Sequence, residues 1–173
     1  SKPFKSDLFR LLVLFVEGGL YVDIDQQPLV SLSKMGIDNS IDISSVSCSH
    51  DKDPLKRRFS NAFIYVKNPG SEFLLRCIES SVIKILKTPK RYIGVAQYVS
   101  GTYIMADTYR KMYNSRVLDK GMFDYKGEKW LLLNSIMGKE KKDCKNNIEH
   151  WCSFYVANLN GDRIMNERYQ AYY

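Results

Sequence analysis

The segment FVEGGLYVDIDQQPL, Phe15 to Leu29, places two glycines, a tyrosine and two aspartates one residue apart at the end of the most hydrophobic run in the chain. An unpaired carboxylate is costly to bury, so these side chains either emerge into solvent or meet something positive. The alternation in LYVDID predicts a strand with Tyr21, Asp23 and Asp25 on one side and Leu20, Val22 and Ile24 on the other. Gln26, Gln27 and Pro28 are expected to end it. Upstream, Leu8, Leu11, Leu12 and Phe15 recur at helical spacing behind Ser6, a good N-cap. Phe9, Val13, Leu14 and Val16 make the remaining faces apolar, which predicts a helix buried on most sides and stopped by Gly18-Gly19.

Further along, FSNAFIYV (Phe59 to Val66) has strand character, and Asn68-Pro69-Gly70 is a turn. Ser71 can cap a helix to about Leu86 with Leu74, Ile78, Val82 and Ile85 inward, broken by Thr88-Pro89. A loop is expected at Ser100-Gly101, then a helix to Tyr113, then short strands at Val117-Leu118 and Trp130 to Leu133. The lysine-rich GKEKKDCKNN predicts a mobile loop ahead of an ordered HWCSFYVA. Strands alternating with helices, with no repeat or linker, predict a single α/β domain over residues 1–173.

Apolar residues make up 45% of the 173 and charged residues 26%, ordinary values for a globular protein with a real core. The formal charge of +7 suits an anionic partner such as a phosphate-bearing substrate, a nucleic acid or an acidic membrane surface. That charge is diffuse. Lys56, Arg57 and Arg58 form one cluster and Lys139 to Lys145 another, and both read as solvated faces. No nucleic-acid-binding motif is present, and no apolar stretch is long enough to span a membrane. The four cysteines have neither a CxxC pair nor zinc spacing. His50, near Asp51 and Asp53, reads as part of a polar loop. The compartment stays open between cytoplasm and Golgi lumen.

An oxygen-only pair of carboxylates at a strand end suits Mg²⁺ or Mn²⁺, which bind one or two carboxylates together with substrate phosphates. Such a pair alone is weak grounds for chemistry, but its surroundings carry more. Ser6, Asp7 and Arg10 on a helix, a hydrophobic run, Gly18, Gly19 and Tyr21, then Asp23 and Asp25 follow one another in KSDLFRLLVLFVEGGLYVDIDQQPL. This pattern resembles the sugar-binding DXD region of glycosyltransferases, the group that includes yeast-type initiating mannosyltransferases and clostridial glucosylating toxins.

The resemblance implies a GT-A-like, Rossmann-related nucleotide-sugar-binding fold, a mixed sheet flanked by helices. It also implies strands ahead of the Ser-Asp helix that bind the nucleotide base; this sequence begins almost at that helix, so the expectation is a domain lacking them. The implied activity is metal-dependent hexosyl transfer from a UDP- or GDP-sugar to a hydroxyl of a glycan, protein or small-molecule acceptor. Asp25 would coordinate Mn²⁺ or Mg²⁺, and Asp23 would contact the ribose or sugar and, through water, the metal. Asp7 would accept from sugar hydroxyls and Arg10 would meet sugar or phosphate oxygens. An intrahelical Asp7–Arg10 ion pair is the structural alternative, since the two share a helix face. Asn61 would hydrogen-bond the sugar or else tie down a strand end. Ser100 and Gly101 stand where the family has a Thr-Gly-Pro loop, here without the proline. His150 would be a third metal ligand or phosphate contact, or else structural. Tyr21 is expected to be structural. A non-catalytic sugar-nucleotide or glycan-binding domain on the same scaffold is the alternative function.

Overall fold

A computed structural model describes residues 2–48, 57–88, 100–114, 118, 120–125, 127–137 and 154–167. The expectations for His50, the Lys139 to Lys145 loop, Val117 and His150 lie outside these residues. The chain is mixed α/β: helix α1 (Lys2–Glu17), strands β1 (Gly19–Val22) and β2 (Gln26–Pro28), and a short 3₁₀ turn at Ser33–Met35 come first. Then follow β3 (Ile43–Cys48), β4 (Arg58–Val66), α2 (Glu72–Lys87), α3 (Thr102–Tyr113), β5 (Gly121–Tyr125), β6 (Glu128–Met137), β7 (Phe154–Ala157) and β8 (Arg163–Glu167).

Among the described residues the eight strands form one sheet in the order β1-β4-β3-β6-β7-β8-β2, with β5 also on β6. β3 and β6 run parallel and the other pairs antiparallel. Consecutive strands β1 and β2 therefore stand at opposite ends of the path. A β-turn joins them, the Gln26 N–H donating to the Asp23 carbonyl at 3.0 Å. Since such a turn spans under about 7 Å, the sheet must curl until its two ends nearly meet.

Each face of the curled sheet carries a core. Leu11 and Leu14 of α1, Phe73 and Leu74 of α2, and Tyr109 of α3 pack with Phe59 and Trp130 on one face. Met35, Ile37, Phe63, Leu131, Leu133 and Met165 pack on the other. β6 serves both by strict alternation, Trp130 and Leu132 to the helices, Leu131 and Leu133 to the far side. The strand at 59–66, the Ser71 cap and the helix after Gly101 match expectation.

Several expectations are corrected. The β1 strand ends at Val22, so the alternation does not reach Asp25, and Ile24 at the turn is 93% exposed. Gln26, Gln27 and Pro28 form a strand of their own, paired with β8. Leu118 lies outside any strand, and the Trp130 to Leu133 strand extends to ten residues. α2 buries Phe73, Leu74, Cys77 and Ser81, leaving Val82 exposed, because its inner face is turned from the expected one. Arg57 and Arg58 are half-buried; the Arg58 guanidinium sits 4.5 Å over the Tyr103 ring.

The largest correction concerns α1. Ser6 lies inside the helix, and the helix is not buried on most sides: Phe9, Leu12, Val13 and Val16 are exposed. Its buried stripe is Phe4, Asp7, Arg10, Leu11 and Leu14. The helix therefore turns two ions inward and four hydrophobic side chains outward.

β4 departs from regular pairing where that stripe meets it. Ser45 of β3 lies opposite Ile64, but its neighbour Val46 lies opposite Ser60, so Asn61, Ala62 and Phe63 bulge out of the β3 ladder. The Ser45 hydroxyl lies 3.2 Å from both the Ser60 and Phe63 carbonyls, filling the gap from within. Gly18 fixes the approach of α1. Its φ is +69°, and a β-carbon there would stand 3.1 to 3.3 Å from the backbone of Lys67, Asn68 and Pro69. Gly19 also has positive φ but open space beside it. Gly18→Ala is therefore expected to lose about 1–3 kcal/mol in urea denaturation, and Gly19→Ala clearly less. Equal losses would contradict the close-approach account.

Candidate functional site

The bulge, the inward stripe of α1, the end of β1 and the loop before α3 converge on Arg10. Its guanidinium is buried and its donors are distributed among protein oxygens. Nε faces the Ser6 carbonyl at 3.4 Å, and Nη2 reaches the Ser6 hydroxyl at 3.1 Å and Asp7 Oδ1 at 3.4 Å. Nη1 reaches Asp23 Oδ1 at 3.2 Å and donates to the Asn61 carbonyl that the bulge frees from the ladder. The Tyr21 ring lies 4.6 Å from the guanidinium carbon.

Each partner is held in turn. Asp7 accepts from the Asn61 amide at 2.7 Å on one oxygen and from the Ser100 hydroxyl at 3.1 Å on the other. Asp23 accepts from the Tyr21 hydroxyl at 2.6 Å, and its own N–H donates to the Ala62 carbonyl. The structure thus brings together Asp7, Arg10, Asp23, Asn61 and Ser100, all singled out in the sequence. Gly101 adjoins them as the residue capping α3. The Asp7–Arg10 ion pair, one of the two alternatives, is formed.

Tyr21 is the residue sequence analysis undervalued. Its hydroxyl fixes one oxygen of Asp23, and the period-two spacing of Tyr21 and Asp23 on one strand was the signal for it. Asn61 also acts through its backbone carbonyl, which no side-chain pattern could reveal. Cys77, buried in the helix-side core, takes no part; burial pushes its thiol above the ordinary range.

Asp25 differs from its neighbours. It follows Ile24 in the turn, and its Oδ1 is buried without a hydrogen-bond partner among the described residues. When all are ionised, Asp7, Asp23 and Asp25 outnumber Arg10 by two negative charges. A buried carboxylate oxygen without a partner among the described residues, beside other carboxylates, fits a hard divalent cation such as Mg²⁺ or Mn²⁺. Among the described residues no group of three or more His, Cys, Asp or Glu side chains is arranged to hold a metal. A cation here would take one or two carboxylates and complete its shell with water or phosphate oxygens, as Mg²⁺ commonly does.

Comparison with known proteins agrees with this location. The family described as glycosyltransferase sugar-binding region containing DXD motif matches residues 1–43, the stretch holding α1, β1 and the turn. No curated protein matches the chain. Among the described residues no helix is long and apolar enough to cross a membrane.

Burial raises the Asp7 carboxyl above its ordinary value, outweighing the opposing pull of Arg10 and the hydrogen bond from Ser100. Folding therefore favours its protonated form. That contribution is complete below the unfolded carboxylate value and is lost as pH rises through the raised folded one. Measured against Asp7→Asn, which does not titrate, the wild type should be relatively most stable at the acid end and lose ground from about pH 4 upward in urea denaturation. A difference that grows with pH would contradict the assignment.

Proposed function

We propose that residues 1–173 are a glycosyltransferase catalytic domain of GT-A kind, using a nucleotide-sugar donor and transferring its sugar to an acceptor hydroxyl. One observation carries the reading: the DXD turn keeps a buried oxygen on Asp25 that has no partner among the described residues, while Arg10 and Tyr21 clamp Asp23 beside it. Asp25, with Asp23, would hold Mn²⁺ or Mg²⁺, and His150 is the third ligand that the resemblance suggests. When bound, such a cation supplies charge neutralisation for a departing diphosphate.

The chain's own residues bind and orient. Asp23 presents its freer Oδ2, which accepts from Arg10 only at 3.5 Å, to a ribose or sugar hydroxyl, since Oδ1 already accepts more closely from both Tyr21 and Arg10. Asp7, anchored by Asn61 and Ser100, has lone pairs left for a sugar hydroxyl. The Ser100-Gly101 loop walls the same space. Arg10 has a protein acceptor for each of its nitrogens, so its work is to fix Asp7 and Asp23 in place. Held donors and acceptors lower the barrier because they need no reorganisation as the reaction proceeds.

The test is release of nucleoside diphosphate from a panel of UDP- and GDP-sugars with and without Mn²⁺. Release is expected with at least one donor, and Asp25→Asn should lower it by about 10²–10³-fold while the protein stays folded. Full manganese-dependent release in that variant would remove Asp25 from the site. Tyr21→Phe should give a smaller loss, about tenfold, since it removes one of several groups holding Asp23. An unchanged rate would leave Tyr21 a packing residue only.

A further inference from the structure

Strand β1 has two different sides. Tyr21 faces the helices and the charged site, whereas Leu20 and Val22 face the opposite way. On that far side the structure has a cavity of about 240 Å³. Met35, Phe63 and Met165 of the second core form its floor, and Leu20, Val22 and Pro28 belong to its walls. Val22 directly precedes Asp23, and Pro28 lies on β2, so the cavity fills the space between the two strands that the DXD turn connects.

Its chemistry limits the occupant. The wall carries one side-chain hydroxyl, on Ser31, which is already paired with the Ser33 hydroxyl. Among the described residues no charged side chain lines it. A sugar ring or a peptide backbone entering here would shed water without regaining hydrogen bonds. An alkyl chain loses nothing of that kind, and two methionines on the floor can adjust to its shape. The cavity opens to solvent, with Leu20 and Pro28 exposed at its edge, and an alkyl chain laid in it is taken out of water along with them.

We propose that this cavity receives an alkyl chain of the acceptor, so that the enzyme glycosylates a hydroxyl carried on an aliphatic tail. The inference rests on the glycosyltransferase reading for the word acceptor, though not for the binding itself. In this reading the chain lies on the far side of β1 from Arg10, and its polar head would reach the DXD turn around the end of the strand, where Val22 gives way to Asp23. No new bond is required beyond the glycosyl transfer already proposed: the acceptor oxygen gains the sugar, the diphosphate leaves, and the acceptor proton goes to solvent.

The experiment uses the full chain labelled with ¹³C at its methionine methyl groups and titrated with n-octyl β-D-glucopyranoside below its micelle concentration. Met35 and Met165 should shift saturably, while Met105 in the helix-side core stays fixed, and free glucose should move none of them. Val30→Phe and, independently, Leu32→Phe narrow the same cavity. Each should weaken octyl binding about tenfold or more while the slow hydrolysis of donor by water continues. Octyl glycosides should also stimulate diphosphate release above the matching free sugars in the wild type only. Unmoved Met35 and Met165 in a protein that hydrolyses donor would overturn the cavity's role and leave the transferase reading standing. Saturable shifts in a protein that hydrolyses no donor would overturn the acceptor assignment and the transferase reading together.

Discussion

A guanidinium withdrawn from water between two carboxylates organises this protein. Arg10 cannot shed its charge, and at 6% exposure it must find oxygen acceptors or destabilise the fold. It finds them on α1 at Ser6 and Asp7, at the end of β1 at Asp23, and on β4 at the Asn61 carbonyl. Those contacts lock a helix, a strand end and a bulge into one geometry. Removing one partner would leave a buried charge uncompensated, a loss of about 3–5 kcal/mol in comparable cases.

The neighbouring structure follows from supplying that charge. β4 lies between β1 and β3, and a regular strand would give alternate carbonyls to each. The bulge over Asn61 to Phe63 in the β3 ladder leaves the Asn61 carbonyl to Arg10, the Ala62 carbonyl accepts the Asp23 N–H in continuation of the β1 register, and the Ser45 hydroxyl fills the gap. The stripe of α1 that would ordinarily be apolar carries Asp7 and Arg10 instead, and the displaced hydrophobic character appears outside on Phe9 and Val16. Asp25, just beyond the clamp, is left with an oxygen that no group among the described residues satisfies. A local departure from good packing is expected where a site must stay ready for a ligand.

The parts of the site that were legible are those written in local spacing. The Ser-Asp-x-x-Arg helix, the paired glycines and the D-x-D triplet occupy one short stretch, and the strand containing Asn61 and the Ser100-Gly101 loop have local turn and strand signals. What was not legible depends on residues far apart in the chain. The inward face of α1 is decided by Asn61 and Ser100, which lie 54 and 93 residues from Asp7. Counting apolar side chains makes that helix look buried all round, because hydrophobicity alone does not know that two ions have partners waiting. The β1 strand was overextended for a similar reason: the alternation continues through Asp25, but the need to return to β8 imposes a turn at Asp23.

We propose that the clamp on Asp23 leaves Asp25 ready for a cation and its diphosphate. Crystals grown with Mn²⁺ and a nucleoside diphosphate, measured at the manganese absorption edge, test it directly. The account predicts an anomalous peak within coordination distance of the Asp25 carboxylate, with phosphate oxygens on the ion and Arg10 still joined to Asp7 and Asp23. A manganese peak elsewhere, with Asp25 untouched, would contradict it.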